Sequence, residues 1–340
     1  MWAPLLLQHR MASTEPTPSS LLALPDACLL VVLQCLGDDQ HSLLSAAGAH
    51  SRLHQAAVAA LRNVTARCNT QQQVDSLLQY LRNHGKDVNS VDVVGGKTAT
   101  ASLSWLPHNL QLNSLKLQCA SLRLGRTGIP GVLGTATTAP LKQLQLKDCD
   151  LIVVDEDYTE GLAEALSQLP AGLEHLSVSG ACPEFPICVL PRLQQLTYLE
   201  LLKVGLRSYA YHEDEYDGDF AEAFVGQGES TDDEWRGEPL LQPLKALTRL
   251  VDLRLDSVPS DDRGNLPSVL SDMQYLSHLE LSQSLYDYAD FEPVILARKT
   301  QLQHLQLAFS WVSGGAAGVA QLLSYLRPLQ ELTHLDLQGC

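Results

Sequence analysis

The chain has 340 residues, of which 45% are hydrophobic and only 6% aromatic, and its formal net charge at pH 7 is −16. That length can bury a sizeable core, whereas the acidic excess argues against nucleic acid or an anionic membrane surface as a partner. No segment approaches the roughly 20 apolar residues of a membrane-spanning helix. Its eight cysteines form no C-x-x-C pair, so we interpret them as reduced and expect a cytoplasmic or nuclear protein.

The first 20 residues are predicted to be a disordered tail. The segment Thr14–Ser20 consists mostly of Pro, Ser and Thr, a composition that buries little apolar surface. The apolar run Trp2–Leu7 is shorter than the roughly 7–15 residues of a secretory signal core. We therefore do not expect a signal peptide.

Residues 21–61 are predicted to form three short helices. The first begins at Leu24-Pro25-Asp26, because proline is favoured in a first helical turn and an aspartate there complements the helix dipole. Its apolar residues have the spacing of one helix face and are Leu29, Val32, Leu33 and Leu36. Asp38-Asp39 opens a second helix and Ser51–Leu61 forms a third. The stretch is therefore a small all-α unit.

A fourth helix is predicted after this unit. Thr70 and Gln73 form a capping box, in which each side chain satisfies a backbone N–H at the helix start. The apolar face that follows consists of Val74, Leu77, Leu78 and Leu81, and the helix ends at Gly85.

The rest of the chain repeats one pattern. Residues Leu332–Cys340 have the spacing L-x-x-L-x-L-x-x-C, which is typical of the strand segment of a leucine-rich repeat. Apart from one gap of 54 residues, nine copies follow one another at intervals of 23 to 32 residues, beginning at Val88, Leu112, Leu141, Leu173, Leu196, Leu250, Leu276, Leu302 and Leu332. One copy cannot bury its apolar face alone, so the copies must stack. Residues 70–340 are therefore predicted to form an α/β leucine-rich-repeat solenoid, a horseshoe with parallel strands on its concave face.

The 54-residue gap contains an acidic insertion at 209–238, with 11 acidic residues and one basic residue. We interpret it as a tolerated surface insertion; the alternative is a flap that contacts a basic partner or gates the concave face. At its other end the array stops at Cys340 without a polar cap. We therefore expect either a truncated chain or an edge that pairs with another molecule.

Candidate target-binding residues lie beside the leucines of each strand, on the concave face. A row of histidines precedes the second leucine in several repeats, and neighbouring strands would place them in a ladder. The candidates on this face are His278, His304, His334, Arg254 and Glu280. Equivalent positions in a row do not converge on a metal ion, so we predict neither a metal nor a cofactor. The chain carries no catalytic motif, and we do not expect an enzyme.

The N-terminal unit resembles an F-box, in an arrangement similar to that of F-box/leucine-rich-repeat proteins. The resemblance lies in Leu24-Pro25-Asp26, in the apolar spacing of the first helix, in Leu43–Ala47 and in Arg52–Ala57. The chain departs from the family at Ala49-His50-Ser51, where a β-branched residue followed by small and basic residues is usual.

This resemblance implies a substrate-recognition subunit of a cullin–RING (SCF-type) ubiquitin ligase. The helical unit would bind a Skp-type adaptor and the repeats would bind a protein target. The adaptor-facing residues would be Leu24, Pro25, Leu29, Val32 and Leu36. The alternative is a leucine-rich-repeat scaffold without a ligase role, in which residues 21–61 only cap the array.

Overall fold

The structure, a computed structural model, describes most of the chain outside its first 20 residues. The described residues are 21–36, 39–96, 102–103, 106–107, 110–119, 121–124, 141–153, 166–167, 169–180, 185–204, 206–207, 241–256, 266–282, 293–308 and 316–337. The predicted tail, the acidic insertion at 209–238 and the terminal Cys340 lie outside them. Within these ranges, no helix is long and apolar enough to span a membrane, and no disulfide joins two cysteines.

The three helices of the N-terminal unit are α1 (Asp26–Gln34), α2 (Gln40–Ala49) and α3 (Ser51–Ala60). Helix α2 begins at the predicted position because the carboxylate of Asp39 accepts a hydrogen bond from the Ser42 amide at 3.0 Å. Arg52 of α3 holds the start of α1. Its guanidinium donates to the Asp26 carboxylate, with Nε–Oδ1 at 3.1 Å, and to the Leu24 carbonyl at 2.8 Å. These bonds fix α1 against α3.

Helix α4 (Gln71–His84) follows the predicted pattern. The Gln73 amide donates to the Thr70 hydroxyl at 3.4 Å, and the Thr70 amide donates to the Gln73 side chain at 3.2 Å, so the capping box is complete. The buried face consists of the four predicted residues, Val74, Leu77, Leu78 and Leu81.

Ten described strands form one parallel sheet, in the order β1-β2-β4-β6-β8-β10-β12-β13-β14-β15. Nine of them begin within the predicted copies, and the central apolar residues of all but the last, β15, are buried. Their bounds are β2 Ser90–Gly95, β4 Ser114–Gln118, β6 Gln143–Lys147, β8 His175–Ser179, β10 Tyr198–Leu202, β12 Asp252–Asp256, β13 His278–Ser282, β14 His304–Ala308 and β15 His334–Asp336. The predicted α/β solenoid of leucine-rich repeats is therefore confirmed.

The tenth strand, β1 (Asn63–Cys68), is one that the leucine pattern does not predict. Its buried residues are Val64 and Cys68, and the half-buried Ala66 lies between them, so no leucine marks it as a repeat. It pairs with β2 in parallel, with Val64 opposite Val91. The sheet therefore begins one strand earlier than the sequence indicates.

Shorter elements connect these strands. Three of them, β3 (Ser102–Leu103), β5 (Ser121–Leu124) and β7 (Asp150–Val153), form a parallel sheet of their own, and β9 (Phe185–Pro186) pairs with β11 (Leu206–Arg207). The helices in the later repeats are α5 (Leu266–Asp272) and α6 (Ala316–Leu326). Short 3₁₀ segments are Leu21–Ala23, Gly85–Asp87, Ile187–Arg192, Gln242–Ala246 and Pro293–Arg298.

The residue that follows β4, β6, β8 or β10 has a positive φ. Cys119, Asp148 and Lys203 have φ of 51°, 49° and 55°, and Gly180 has φ of 96°. This backbone turn keeps the chain hydrogen-bonded to the next strand, because the Cys119 amide donates to the Lys147 carbonyl at 2.8 Å and the Gly180 amide donates to the Leu202 carbonyl at 3.0 Å. A side chain at position 180 would place its Cβ 2.6 Å from the Asp148 Cα, which is why glycine stands there.

The helical unit shares one apolar core with the repeats. Leu29 and Leu33 of α1 belong to the same buried cluster as the repeat leucines. The side-chain amide of Gln40 covers the free edge of β1: its Nε2 donates to the Thr65 carbonyl at 3.0 Å, and its Oε1 accepts from the Thr65 amide at 2.8 Å. Gln40 thus replaces the backbone of a missing neighbouring strand. At the opposite edge, Leu335 of β15 is 40% exposed.

Replacing Gln40 by Ala should expose this edge. Losing two hydrogen bonds that together satisfy one backbone residue should lower the free energy of unfolding by about 1–2 kcal/mol. It should also speed hydrogen exchange at the Thr65 amide. Urea denaturation and exchange mass spectrometry measure the two effects. Gln55→Ala, at an exposed position on α3, is the matched control and should change stability by less than about 0.5 kcal/mol. Equal effects of the two substitutions would contradict the capping role.

Candidate protein-binding surface

One face of the ten-stranded sheet is lined by the residues that alternate with the buried leucines. We call it the open face; it corresponds to the concave face of the predicted solenoid. On β13, for example, Leu279 and Leu281 are fully buried. His278, which precedes them, and Glu280, which lies between them, are only partly buried. Strand alternation therefore places the polar candidates of every repeat on one continuous surface.

The predicted histidine ladder is present on this face. Parallel pairing places His278 opposite His304, and His304 opposite His334. The first two rings stack with centroids 3.8 Å apart and an interplanar angle of 8°, and the next two stack at 4.1 Å and 13°. The three rings form a flat strip across three strands. His175 does not belong to it but stacks on Tyr198, with centroids 3.8 Å apart.

Arg254 lies at the centre of the open face and is surrounded by carboxylates. It donates to both oxygens of Asp252, through Nε at 3.0 Å and Nη2 at 3.1 Å. Its guanidinium also lies 3.7 Å from the Glu200 carboxylate and 3.9 Å from that of Glu280. The Tyr198 ring centroid is 5.3 Å from the guanidinium carbon, within cation–π range. One cation thus lies among three carboxylates and is hydrogen-bonded to one of them, Asp252.

The carboxylates differ in how fully they are paired. Glu200 accepts a hydrogen bond from the Ser177 hydroxyl at 2.6 Å and another from the Tyr198 hydroxyl at 2.7 Å. Glu280 has its Arg254 contact at 3.9 Å, beyond hydrogen-bond distance. Burial raises the pKa of Glu280 above its usual value, and Arg254 partly opposes this effect. Glu280 is consequently the carboxylate best placed to accept a hydrogen bond from a partner.

Two of the stacked histidines, His278 and His304, are neutral near pH 7. Burial lowers the pKa of His278 to about 4, with His304, Arg254 and His334 adding to the effect and Asp252 opposing it. Burial followed by His334 lowers the pKa of His304 as well. A cation would be poorly solvated at these two positions, so both present uncharged aromatic faces. The five predicted target-binding residues therefore form one surface, in which stacked rings border an acidic network.

The predicted adaptor-facing residues do not share one exposed face. Leu29 has no exposed surface and packs in the core, so the prediction that it faces an adaptor is wrong. Leu24 is half-buried and Pro25 is exposed. Val32 and Leu36 are each 40% exposed, as an adaptor-facing role requires. The spacing of these residues identified a helix but not which of its sides packs inward.

An exposed apolar strip does exist along α1 and its flanks. Val31 is 59% exposed and Leu21 is 42% exposed, and both were missed by the sequence analysis. Together with Val32 and Leu36 they form what we call the α1 strip. The sequence signal for these exposed side chains is the run Leu29–Leu33, which is apolar on every side of the helix. A helix that buries one face needs apolar residues on that face alone.

Neither surface contains a constellation suited to metal binding. Within the described ranges, no group of three or more His, Cys, Asp or Glu residues could hold a metal ion. Stacked rings point their edges in parallel, whereas a metal needs ligands that converge on one point. The chemistry available to the open face is therefore hydrogen bonding, ion pairing and ring stacking.

No protein-family model matches this chain, and no curated protein matches it. Among solved structures, the chain is similar to a plant peptide hormone receptor, RGFR1 in complex with RGF2, at 14% identity and a TM-score of 0.40, covering 83% of this chain and 41% of the receptor chain. It is also similar to the leucine-rich-repeat protein LIC12759 of Leptospira interrogans, at 14% identity and a TM-score of 0.32, covering 85% of this chain and 80% of that chain. The chain thus spans about two-fifths of the receptor's length. Its repeat spacing and parallel ladder give it a leucine-rich-repeat fold.

The lowered pKa of His278 makes stability depend on pH. The pKa of His278 is about 4 in the folded chain, against an ordinary value of 6.5, so below pH 6.5 the unfolded chain binds a proton that the folded chain does not. Its contribution to stability is present above pH 6.5 and is lost as the pH falls toward 4. Replacing His278 by Phe keeps a ring in the stack but removes the titration. The slope of unfolding free energy against pH in this window should then decrease by up to about 1.4 kcal/mol per pH unit.

Urea denaturation at a series of pH values measures this slope. Gln55→Ala, at an exposed position on α3, is the control and should leave the wild-type slope unchanged. An unchanged slope in His278→Phe would contradict a neutral, buried His278.

Proposed function

We propose that this protein holds a protein target on its open face and joins a Skp-type adaptor of a cullin–RING ubiquitin ligase through its helical unit. The observation that carries the adaptor proposal is the α1 strip. Apolar side chains as exposed as Val31, on a helix whose other side is fully packed, are typical of a surface that a partner covers. The resemblance of residues 21–61 to an F-box supports the choice of partner.

The open face supports the target-binding part of the proposal. Its side chains are held in place before any partner arrives: Arg254 by the paired Asp252, and the three histidines by stacking. A pre-organised surface loses little side-chain entropy on binding, so more of the contact energy appears as affinity.

In this proposal the protein supplies no catalytic group and no cofactor. It would act in the cytoplasm or nucleus, where its repeats would hold a target close to the ubiquitin-carrying enzyme. The effective concentration of a target lysine at that enzyme's active site would rise, so the contribution to catalysis would be proximity. The repeats would determine which protein is modified, and the helical unit would determine where it is held.

A second candidate function is a scaffold without a ligase role. The observations that favour it are the shared core of the helical unit and the repeats, and the two hydrogen bonds from Gln40 to Thr65. Both support a capping role for the unit, as in the terminal units of solenoids. Capping does not use the α1 strip, however, so capping the array and binding an adaptor are compatible roles of the helical unit. Only an adaptor-binding measurement therefore separates the two candidate functions.

The deciding experiment is co-expression of the full chain with the Skp-type adaptor of the same organism, followed by size-exclusion chromatography. The wild-type chain should co-elute with the adaptor at a one-to-one ratio. Val31→Asp should abolish co-elution, because it places a charge within an apolar interface. Its effect on folding should be small, since the side chain is 59% exposed.

Leu323→Asp is the matched control, because Leu323 on α6 is also apolar and 48% exposed but lies outside the helical unit. It should co-elute like the wild type. A folded wild-type chain that elutes without the adaptor would reject the ligase role and leave the scaffold function. Substitution of Leu29 is unsuitable, since a charge at that fully buried position would disrupt the fold.

Target binding can be located with a photo-crosslinking amino acid. Placed at Gln306, between the two buried leucines of β14, it should form cross-links to a discrete set of proteins in cells. Those cross-links should weaken at least tenfold when Glu280→Arg is added, because the substitution reverses the charge of the under-paired carboxylate. The same amino acid at Tyr275, which is 58% exposed in a turn before β13, is the control. Identical cross-links from the two positions would contradict an open-face target site.

A further inference from the structure

A cavity of about 490 Å³ lies where the helical unit meets β1 and α4. Its walls come from α2, α3, β1 and α4, and no residue of the α1 strip or of the histidine ladder lines it. This volume falls within the roughly 300–1,000 Å³ of small-molecule sites. The cavity is therefore large enough for an organic ligand and is separate from the α1 strip and the ladder.

Apolar side chains form most of the cavity surface. Each of the four elements contributes at least one of them, namely Leu44 of α2, Val58 of α3, Ala66 of β1 and Leu77 of α4. Water gains few hydrogen bonds against such walls, and the walls lose dispersion contacts while no apolar partner fills the space. A hydrophobic molecule would recover those contacts and would itself leave water. The lining thus selects a ligand with an apolar body.

Polar side chains at the cavity already make hydrogen bonds within the protein. Four that do so are Gln40, Gln73, Ser76 and Gln79. Gln40 uses both ends of its amide on the backbone of Thr65, and the Ser76 hydroxyl donates at 2.8 Å to a carbonyl one helical turn earlier. A polar ligand would have to break such bonds or leave its own groups unpaired. The walls therefore favour a ligand with little polar surface.

The cavity also offers no counter-ion for a charged ligand. Among the described residues that line it, Arg67 of β1 is the one Lys, Arg, Asp or Glu side chain. Arg67 is exposed and alternates with the inward-facing Ala66 and Cys68, so strand geometry directs it away from the cavity. Burial lowers the pKa of His84, and this lining ring is neutral near pH 7. An ion entering the cavity would lose hydration without gaining an ion pair.

We propose that this cavity binds an uncharged small molecule with a hydrocarbon body, such as a medium-chain alcohol. The proposal does not depend on adaptor or target binding. The ligand would contact α2 and α3 of the helical unit together with β1 and α4 of the array. Its binding would therefore stabilise the packing of the helical unit against the array.

The test measures displacement of the neutral dye Nile red from the full chain by 1-octanol, octanoate and octylamine. These competitors share one eight-carbon body and differ in the charge of the head group. Nile red should bind with one-to-one stoichiometry, and 1-octanol should displace it. Octanoate and octylammonium should need at least tenfold higher concentrations, because each would bury an unpaired charge. Lengthening the alcohol to 1-decanol should lower the required concentration about tenfold, since two more methylene groups are buried.

Variants of the chain locate the dye. Val58→Trp should remove Nile red binding, because the indole fills the cavity. Ala66→Leu is a smaller cavity-filling change for use if Val58→Trp does not fold, and it should weaken binding. Val31→Asp is the control, because it removes apolar character from the α1 strip, and it should leave the titration unchanged.

Three results would overturn the proposal. The first is a folded wild-type chain that does not bind Nile red. The second is binding that persists in folded cavity-filling variants or disappears in Val31→Asp, since the dye would then lie elsewhere. The third is displacement by octanoate or octylammonium at the concentration that suffices for 1-octanol, which would contradict a site for uncharged ligands.

Discussion

The structure depends on in-register pairing of parallel strands. Each strand places two apolar side chains into a common core, and the next strand places its own two directly beside them, as Leu279 and Leu281 are placed beside Leu305 and Leu307. The main-chain ladder keeps this register through the turns, where residues with positive φ such as Cys119 extend the hydrogen bonding beyond the strand. A slip by one residue would exchange the buried and open sides of a strand. The leucine spacing therefore fixes both the core and the identity of the exposed surface.

The same register produces the chemistry of the open face. Three histidines at one position of consecutive repeats must stack, because neighbouring strands lie only about 4.8 Å apart. Once stacked, they cannot all carry charge, and burial keeps His278 and His304 neutral. The register also brings opposite charges together at Arg254. Its strand, β12, lies between the strands that carry Glu200 and Glu280, so strand pairing places three charged side chains side by side without any irregular backbone. Polar specificity and core packing thus follow from one periodicity.

Much of the fold could be predicted from the sequence because one of its signals is periodic and the other is a local helix-start motif. The leucine spacing identified nine strands, and the box formed by Thr70 and Gln73 identified the start of α4. The predicted histidine row was also placed on the correct face. What failed lacked a periodic signal. Strand β1 has valine, alanine and cysteine where other strands have leucine, and it is held by pairing with β2 and by the distant Gln40.

The error at Leu29 has a related cause. A helix with apolar residues on all sides gives no preference for one face, so the choice depends on where α3 packs, which sequence spacing does not show. The network around Arg254 was likewise predicted only as separate residues. Its geometry requires side chains from three strands, and the partners Tyr198 and Ser177 are set by register rather than by proximity in the chain. Periodicity therefore predicts positions, and packing assigns roles to them.

The two hydrogen bonds between Gln40 and Thr65 bear on the symmetry that copies of this protein can adopt. A filament of stacked solenoids is a head-to-tail arrangement, and it propagates only if one edge of each copy receives the opposite edge of the next. Because the Gln40 amide already occupies the backbone groups of Thr65, the β1 edge cannot receive another strand there. A single glutamine side chain thereby removes one pair of backbone groups from the edge that a neighbouring copy would need.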